Sequence, residues 1–323
     1  MDNLSFFVQQ MLIFFVPLVI VAIGGMFSEK SGVINIALEG IMIFGGYVGI
    51  VFIRAMQQKG YLADSPQLLL ICGLIISGVS GLIFSLLHAF ASINLKADQT
   101  ISGVALNMLA PALVFFIARS ATNTRQVFFN PVFMIRSVPW LGKIPILGPL
   151  FFQKAYLTTY IGIAIVLLSA FILRKTRLGL RLSACGEHPQ AAESVGVNVQ
   201  KMRWLGVGIS GFLAGIGGLS FTIACAVSFN GTVAGYGFLA LAVMIFGQWK
   251  PIRILWAALF FAVFKALSTT YSIFPFLVAW DIPNKGYIFN ILPFVATMVA
   301  LAFTSKKSRA PKAEGIPFDS GAR

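Results

Sequence analysis

The side chains of this 323-residue chain that could do chemistry are few, and several sit where an apolar sequence should carry none. Asn35 and Glu39 fall inside GVINIALEGIMIFGG, residues 32–46, a run that must cross a membrane. An acid at mid-bilayer costs about 2.5–3.5 kcal/mol, so it faces a protein interior or a wet cavity. Glu39 therefore either lines a polar pathway or lies near the end of its span and pairs locally, with Lys30 or Lys96. Asn107 is a second interior amide, six residues into another apolar run. Gln248 follows Met244-Ile245-Phe246-Gly247, a tetrapeptide that repeats Met42-Ile43-Phe44-Gly45. Both copies follow a short, glycine-punctuated apolar approach. Interrupted apolar segments in the two halves of a chain point to a binding site near the bilayer midplane, and the two copies are expected to run in opposite directions.

A second kind of chemistry lies between the apolar runs. RKTRLGLRLSACGEHPQAAESVGVNVQKMR, residues 174–203, carries six Lys and Arg around an Ala-rich centre. Pro189 suits a first helical position. Gln190 to Val195 are compatible with helix, and Gly196 can close it in a left-handed cap. A helix of about two turns is too short to stand alone, so it must dock on something.

Other chemistry is not indicated. Cys72, Cys185 and Cys225 form no CxxC, so neither a disulfide framework nor a zinc site is suggested. His88 and His188 have no metal-ligand spacing around them. GISGFLAGIGG lacks the GKS or GKT ending of a phosphate-binding loop, and its small residues at four-residue spacing suit close helix packing in lipid.

These residues need positioning elements, and composition says which. Apolar residues make up 58% of the chain and charged residues 11%, against roughly 45–50% and about 25% in soluble domains. The expected fold class is all-α: a polytopic integral membrane helical bundle of about 8–10 transmembrane helices, with interrupted helices and an inverted repeat. A span needs about 20 apolar residues. Runs are read at 6–26, 33–55, 67–93, 101–118, 155–173, 203–228, 236–248, 252–274 and 286–304, the seventh being too short to cross unaided. Residues 1–304 form the membrane domain. Residues 305–323 read as a basic, disordered tail. More than half of the 24 Lys and Arg share one side if the 174–203 segment and the tail are cytoplasmic, as the positive-inside rule asks. The net charge of +14 then serves topology; no nucleic-acid partner is expected. The Pro-rich connection 119–154 is expected along the outer interface.

At GVINIALEGIM, LKADQTISGVALN, ACGEHPQAAESVGV, GISGFLAGIGG and GYGFLALAVMIFGQWKP, in that order, the chain resembles permease subunits of bacterial ATP-binding cassette importers. The superfamily is that of branched-chain amino acid, ribose and nucleoside permeases, and ADQTISGVALN, FGQWKP and the basic tail look most like its nucleoside members. Two departures stand out: Gln248 where a basic residue is usual, and Ala37 where Gly is common. The resemblance implies a location in the bacterial inner membrane and a second, related permease subunit. It also implies partner ATPase subunits that bind ATP and Mg, and an extracytoplasmic substrate-binding protein or lipoprotein. No cofactor is implied in this chain and no enzyme activity of its own. Gly186, Glu187, Ala191, Ala192, Glu193 and Gly196 match the loop that contacts the ATPase.

A nucleoside would need aromatic stacking and a few amide or carboxyl contacts. Asn35, Glu39, Phe44, Asn107, Phe246 and Gln248 are the candidates for that pathway. The alternatives are the same machine carrying ribose or galactose, an ion-coupled secondary transporter with Glu39 as the coupling acid, and a membrane scaffold.

Overall fold

The computed structural model describes residues 2–275 and 310–320, with a few isolated positions between 287 and 299. The apolar run expected at 286–304 falls largely outside these residues. Among the described residues, seven helices are long and apolar enough to cross a membrane.

They lie in helices α1 (Asp2–Lys30), α2 (Leu38–Gln58), α3 (Pro66–Ala89, extended by a π turn to Asn94), α4 (Gln99–Thr122), α5 (Leu157–Lys175), α8 (Val199–Cys225) and α10 (Pro251–Thr270). Among the described residues up to 275, three shorter α-helices accompany them: α6 (Arg177–Glu187), α7 (Pro189–Ser194) and α9 (Tyr236–Phe246). The all-α reading holds, apart from two small antiparallel ribbons. Strand β1 (Val127–Phe128) pairs with β4 (Ser228–Phe229), and β2 (Met134–Ser137) with β3 (Gln153–Tyr156). β1, β2 and the start of β3 come from the Pro-rich 119–154 connection. It folds back on itself by the α1 N-terminus, where Gln9 Nε2 donates to Pro149 O at 3.1 Å.

Burial sorts the helices into centre and rim. In α1 and α8, 83% and 78% of the apolar window is buried, against 28% in both α4 and α5. The exposed faces are apolar: Ile75, Val79, Ile83 and Leu87 line α3 at four-residue steps, one helical face. Such a stripe belongs against lipid. The centre is held by close approach, not bulk. α8 packs on α1, α2 and α3, and a Cβ at Gly215 or Gly218 would overlap the carbonyl oxygens of Ser77 and Met42. Ser77 Oγ exploits that proximity, lying 2.8 Å from Gly45 O and 2.6 Å from Gly215 O. The small-residue motif read in GISGFLAGIGG thus brings three helices into backbone contact.

The tail differs from expectation. Residues 310–320 pack as a strap. Ala313 N donates to Gly186 O at 2.8 Å, Gly315 N to Gly32 O at 3.2 Å, and Arg203 Nη1 to Ile316 O at 2.9 Å. Phe318 is buried, with the Arg203 guanidinium 5.8 Å from its ring centroid. Lys96 Nζ meets Asp319 at 3.3 Å. Loss of hydrophobic periodicity suggested a solvated end. Two apolar anchors, Ala313 and Phe318, and free backbone donors suffice to dock it without any periodic pattern.

Candidate functional site

Between α1 and α2 the chain runs without helix from Val33 to Asn35 and turns at Ile36 and Ala37. A buried stretch of this kind has no helical ladder, so each polar backbone group needs another partner. Side chains supply them. Ser28 Oγ donates to Val33 O at 2.7 Å, and Gln99 Oε1 accepts from Ile34 N at 2.7 Å. His88 Nε2 lies 2.8 Å from Ile34 O, and Asn107 Nδ2 donates to Ile36 O at 2.8 Å. A carbonyl can only accept, so the proton of neutral His88 sits on Nε2 and its Nδ1 faces Ser102 Oγ at 3.0 Å. Asn107 Oδ1 also accepts from Gly40 N at 2.7 Å. Asn35 turns back on itself, Oδ1 accepting from Ala37 N at 3.2 Å, while its Nδ2 donates to Ser210 Oγ at 2.8 Å.

Ser210 fixes the depth. It stands seven residues beyond Arg203 on α8, about 10 Å at 1.5 Å per residue. The interrupted segment therefore rises into the bundle before α2 begins.

At that level α9 also begins. Its N-cap is Gly235, at φ +79°, with no capping side chain of its own. Glu39 caps it from across the bundle: Oε1 accepts from Gly235 N at 2.9 Å and Oε2 from Gly237 N at 2.6 Å. A Cβ at Gly237 would overlap the Glu39 backbone, so the two helix starts abut. From this point they diverge. α2 ends where Gln57 exchanges two hydrogen bonds with Asn130, on the α1 N-terminal side. α9 ends beside Trp249, whose Nε1 donates to Glu29 near the α1 C-terminus at 2.5 Å. Eleven residues of α9 rise about 16 Å, half of a roughly 30 Å hydrocarbon layer. The short seventh run is thus a half-crossing, and the MIFG copies lie on elements of opposite direction.

The six pathway candidates divide into groups. Asn35, Glu39 and Asn107 come together around the interrupted segment and the start of α9. Glu39 meets backbone N–H groups, not the local lysine partners considered for it. Phe44 stacks on Phe84, with centroids 4.6 Å apart and planes at 18°. Phe246 packs against Phe260 and Phe261 of α10, and Gln248, in a left-handed turn at φ +51°, bonds through its side chain to Arg253. Those two belong to the α9–α10 corner. Sequence reasoning missed His88, Gln99, Ser102 and Ser210. A polar residue in a buried run needs a partner, and that rule could have flagged the histidine and serines that composition alone makes unremarkable.

The second region is the platform of α6, α7 and the strap. α7 spans Pro189–Ser194 and Gly196 follows at φ +84°, as its residue types predict. The preceding α6, with Thr176 as its N-cap, was not anticipated. Gly186 is buried, and a Cβ there would overlap the carbonyl of Lys30, so α6 touches the end of α1. Ala192 faces inward with Cys185, Val199 and Phe318. Burial pushes the Cys185 thiol up, partly offset by Arg203. Glu187, Ala191, Glu193 and Gly196 are exposed. One edge of α7 is thus anchored and the other is free. Burial also pushes the Glu314 carboxyl up from the usual range, partly offset by its hydrogen bond with Glu29. Platform and interrupted segment are joined, because the strap bonds both Gly186 and Gly32.

Residues 7–301 match the family described as the permease component of the branched-chain amino acid transport system. The chain is similar to a guanosine ABC transporter permease protein of Bacillus subtilis, NupQ, at 42% identity over 99% of this chain and 98% of that one. It is 38% identical to a nucleoside ABC transporter permease protein of Lactococcus lactis, NupC, over 98% of both. A second Lactococcus lactis permease protein of the same description, NupB, is 26% identical over 77% of this chain and 68% of its own length. No solved structure matches. The chain belongs to this family of membrane-spanning permease components.

Proposed function

We propose that this permease component carries nucleosides inward across the bacterial inner membrane, as one half of a pore driven by partner ATPase subunits. The observation that carries the reading is full-length similarity to two permeases named for guanosine and nucleosides. A second, more distant permease in one of the same bacteria supports a pore built from two related chains. In this reading the α6–α7–strap side is cytoplasmic, and the ATPase grips the exposed edge of α7 through Glu187, Ala191, Glu193 and Gly196. A binding protein or lipoprotein delivers solute at the opposite face. ATP and Mg are held by the partner.

Mechanically, the proposal is alternating access. Closure of the ATPase pushes α7, and Gly186 passes the displacement to α1 and the strap. The strap's bond to Gly32 carries it to the interrupted segment. The α2 and α9 starts, held by Glu39, are the elements that shift. Asn35, Asn107, Phe44, Phe246 and Gln248 flank the path, with amides for polar edges and rings for the base. Affinity here is modest, because a ligand must leave as well as enter.

Competition of labelled guanosine uptake by excess unlabelled guanosine, adenosine, ribose and galactose in cells expressing the assembled transporter tests the substrate class. Nucleosides should compete and free sugars should not. No guanosine uptake, with labelled ribose or galactose taken up instead, would move the assignment to sugars.

A further inference from the structure

Where the ends of α1 and α5 meet the start of α10, a cavity of about 260 Å³ is lined by Lys30, Arg174, Ser183, Trp249, Lys250 and Pro251, among others. Three cations from three helices converge on it, and among the described residues no acid lines it. None of the three makes an ion pair within 4.0 Å among the described residues, where Lys96 with Asp319 is the pair found. Glu187 attracts Lys30 from nearby, and Lys250 is close enough to repel it.

The ordinary explanation is the helix dipole. Lys30 and Arg174 lie in the last turns of α1 and α5, where a cation is favoured. It does not cover Lys250. That residue is the N-cap of α10, whose first turn holds no acid, and a cation there opposes the dipole. Two lysines and an arginine gathered around a positive helix end, with a serine hydroxyl beside them, form a pocket suited to an anion. The surroundings say which kind. α5 and α10 are rim helices, with 28% and 39% of their apolar windows buried. Leu167, Leu168 and Phe171 of α5 and Trp256 and Phe260 of α10 are exposed. The cavity opens at the polar ends of two lipid-facing surfaces, so a headgroup in it would leave its acyl chains against them.

We propose that this cavity binds the phosphate of an anionic phospholipid. Ser183 donates to a phosphate oxygen, the three cations balance the charge, and the Trp249 ring, its N–H already given to Glu29, walls one side.

The test uses the full-length transporter, delipidated and placed in phosphatidylcholine nanodiscs doped with phosphatidylglycerol, with bound lipid counted by native mass spectrometry. One phosphatidylglycerol per chain should survive release from the disc. Arg174→Gln combined with Lys250→Gln should weaken its retention about thirty-fold. Both side chains are exposed, so folding is spared. Lys59→Gln, beyond the far end of α2, should leave retention unchanged. Equal retention in the double variant would overturn the proposal. So would displacement of the lipid by millimolar inorganic phosphate, which would assign the pocket to a soluble anion.

Discussion

The junction where α2 and α9 begin and the platform around α7 differ in how much of their surface is committed to the bundle. At the junction, Asn35, Glu39, His88 and Asn107 each find a hydrogen-bond partner in the bundle. Among the described residues both regions leave buried side-chain atoms without a hydrogen-bond partner, Gln99 Nε2 and the Tyr236 hydroxyl at the junction and Arg203 Nε and Nη2 at the platform. At the platform, however, half of α7 also faces outward. The bonds made by Asn35, Glu39, His88 and Asn107 hold the junction backbone in one arrangement. The exposed edge of α7 leaves surface for a second molecule. In the proposed mechanism the platform is the part that is pushed and the junction the part that is moved.

The sharpest way to break this contrast is to open the junction. Glu39→Ala strips two buried N–H groups of their acceptor, at about 1–3 kcal/mol each. Thermal unfolding in detergent should fall steeply and uptake should be lost. Glu39→Gln keeps one acceptor oxygen and should fall between. An unchanged melting temperature for Glu39→Ala would mean that Glu39 does not hold α9. Next comes the joint between the regions. Gly186→Val drives a side chain into the Lys30 carbonyl, an overpacking effect of about 1–3 kcal/mol. It should uncouple ATP hydrolysis from uptake more than it lowers stability, measured as transported solute per ATP.

On the platform's free edge the expected pattern reverses. Glu193→Ala should change stability by no more than about 0.5 kcal/mol and yet reduce co-purification of the ATPase. Equal losses of stability and coupling would erase the distinction between the two regions. The smallest effect concerns the strap. Glu314 is raised by burial, so its neutral form favours docking. Docking is then fullest below the ordinary carboxylate range and weakens as pH rises through the raised value. Hydrogen exchange across residues 310–320 should accelerate with pH beyond the intrinsic amide dependence, and Glu314→Gln should remove the excess.

The two regions were also unequally legible in the sequence. α7 could be placed to within one residue, because Pro189 and Gly196 act through local backbone preferences that need no tertiary information. The apolar runs located the spans, because a bilayer imposes length and composition. At the junction, the odd residues Asn35, Glu39 and Asn107 were visible but their partners were not. The acceptor for Gly235 lies 196 residues away, and no local pattern encodes such a meeting. The strap failed for the reverse reason: a short irregular segment leaves no periodic trace, and two buried side chains, Ala313 and Phe318, with a few backbone bonds decide its place.

The central claim is that these regions form one half of an ATP-driven nucleoside importer. It is tested most directly by reconstituting the assembled transporter with its binding protein into proteoliposomes, the ATPase face outward, and following labelled guanosine. With ATP supplied to that face, guanosine sealed inside with the binding protein should leave even when the outside concentration is higher, unaffected by an uncoupler. Without ATP, flux should fall to the level of empty vesicles. Guanosine movement that continues undiminished without nucleotide, or that stops with the uncoupler, would contradict the account.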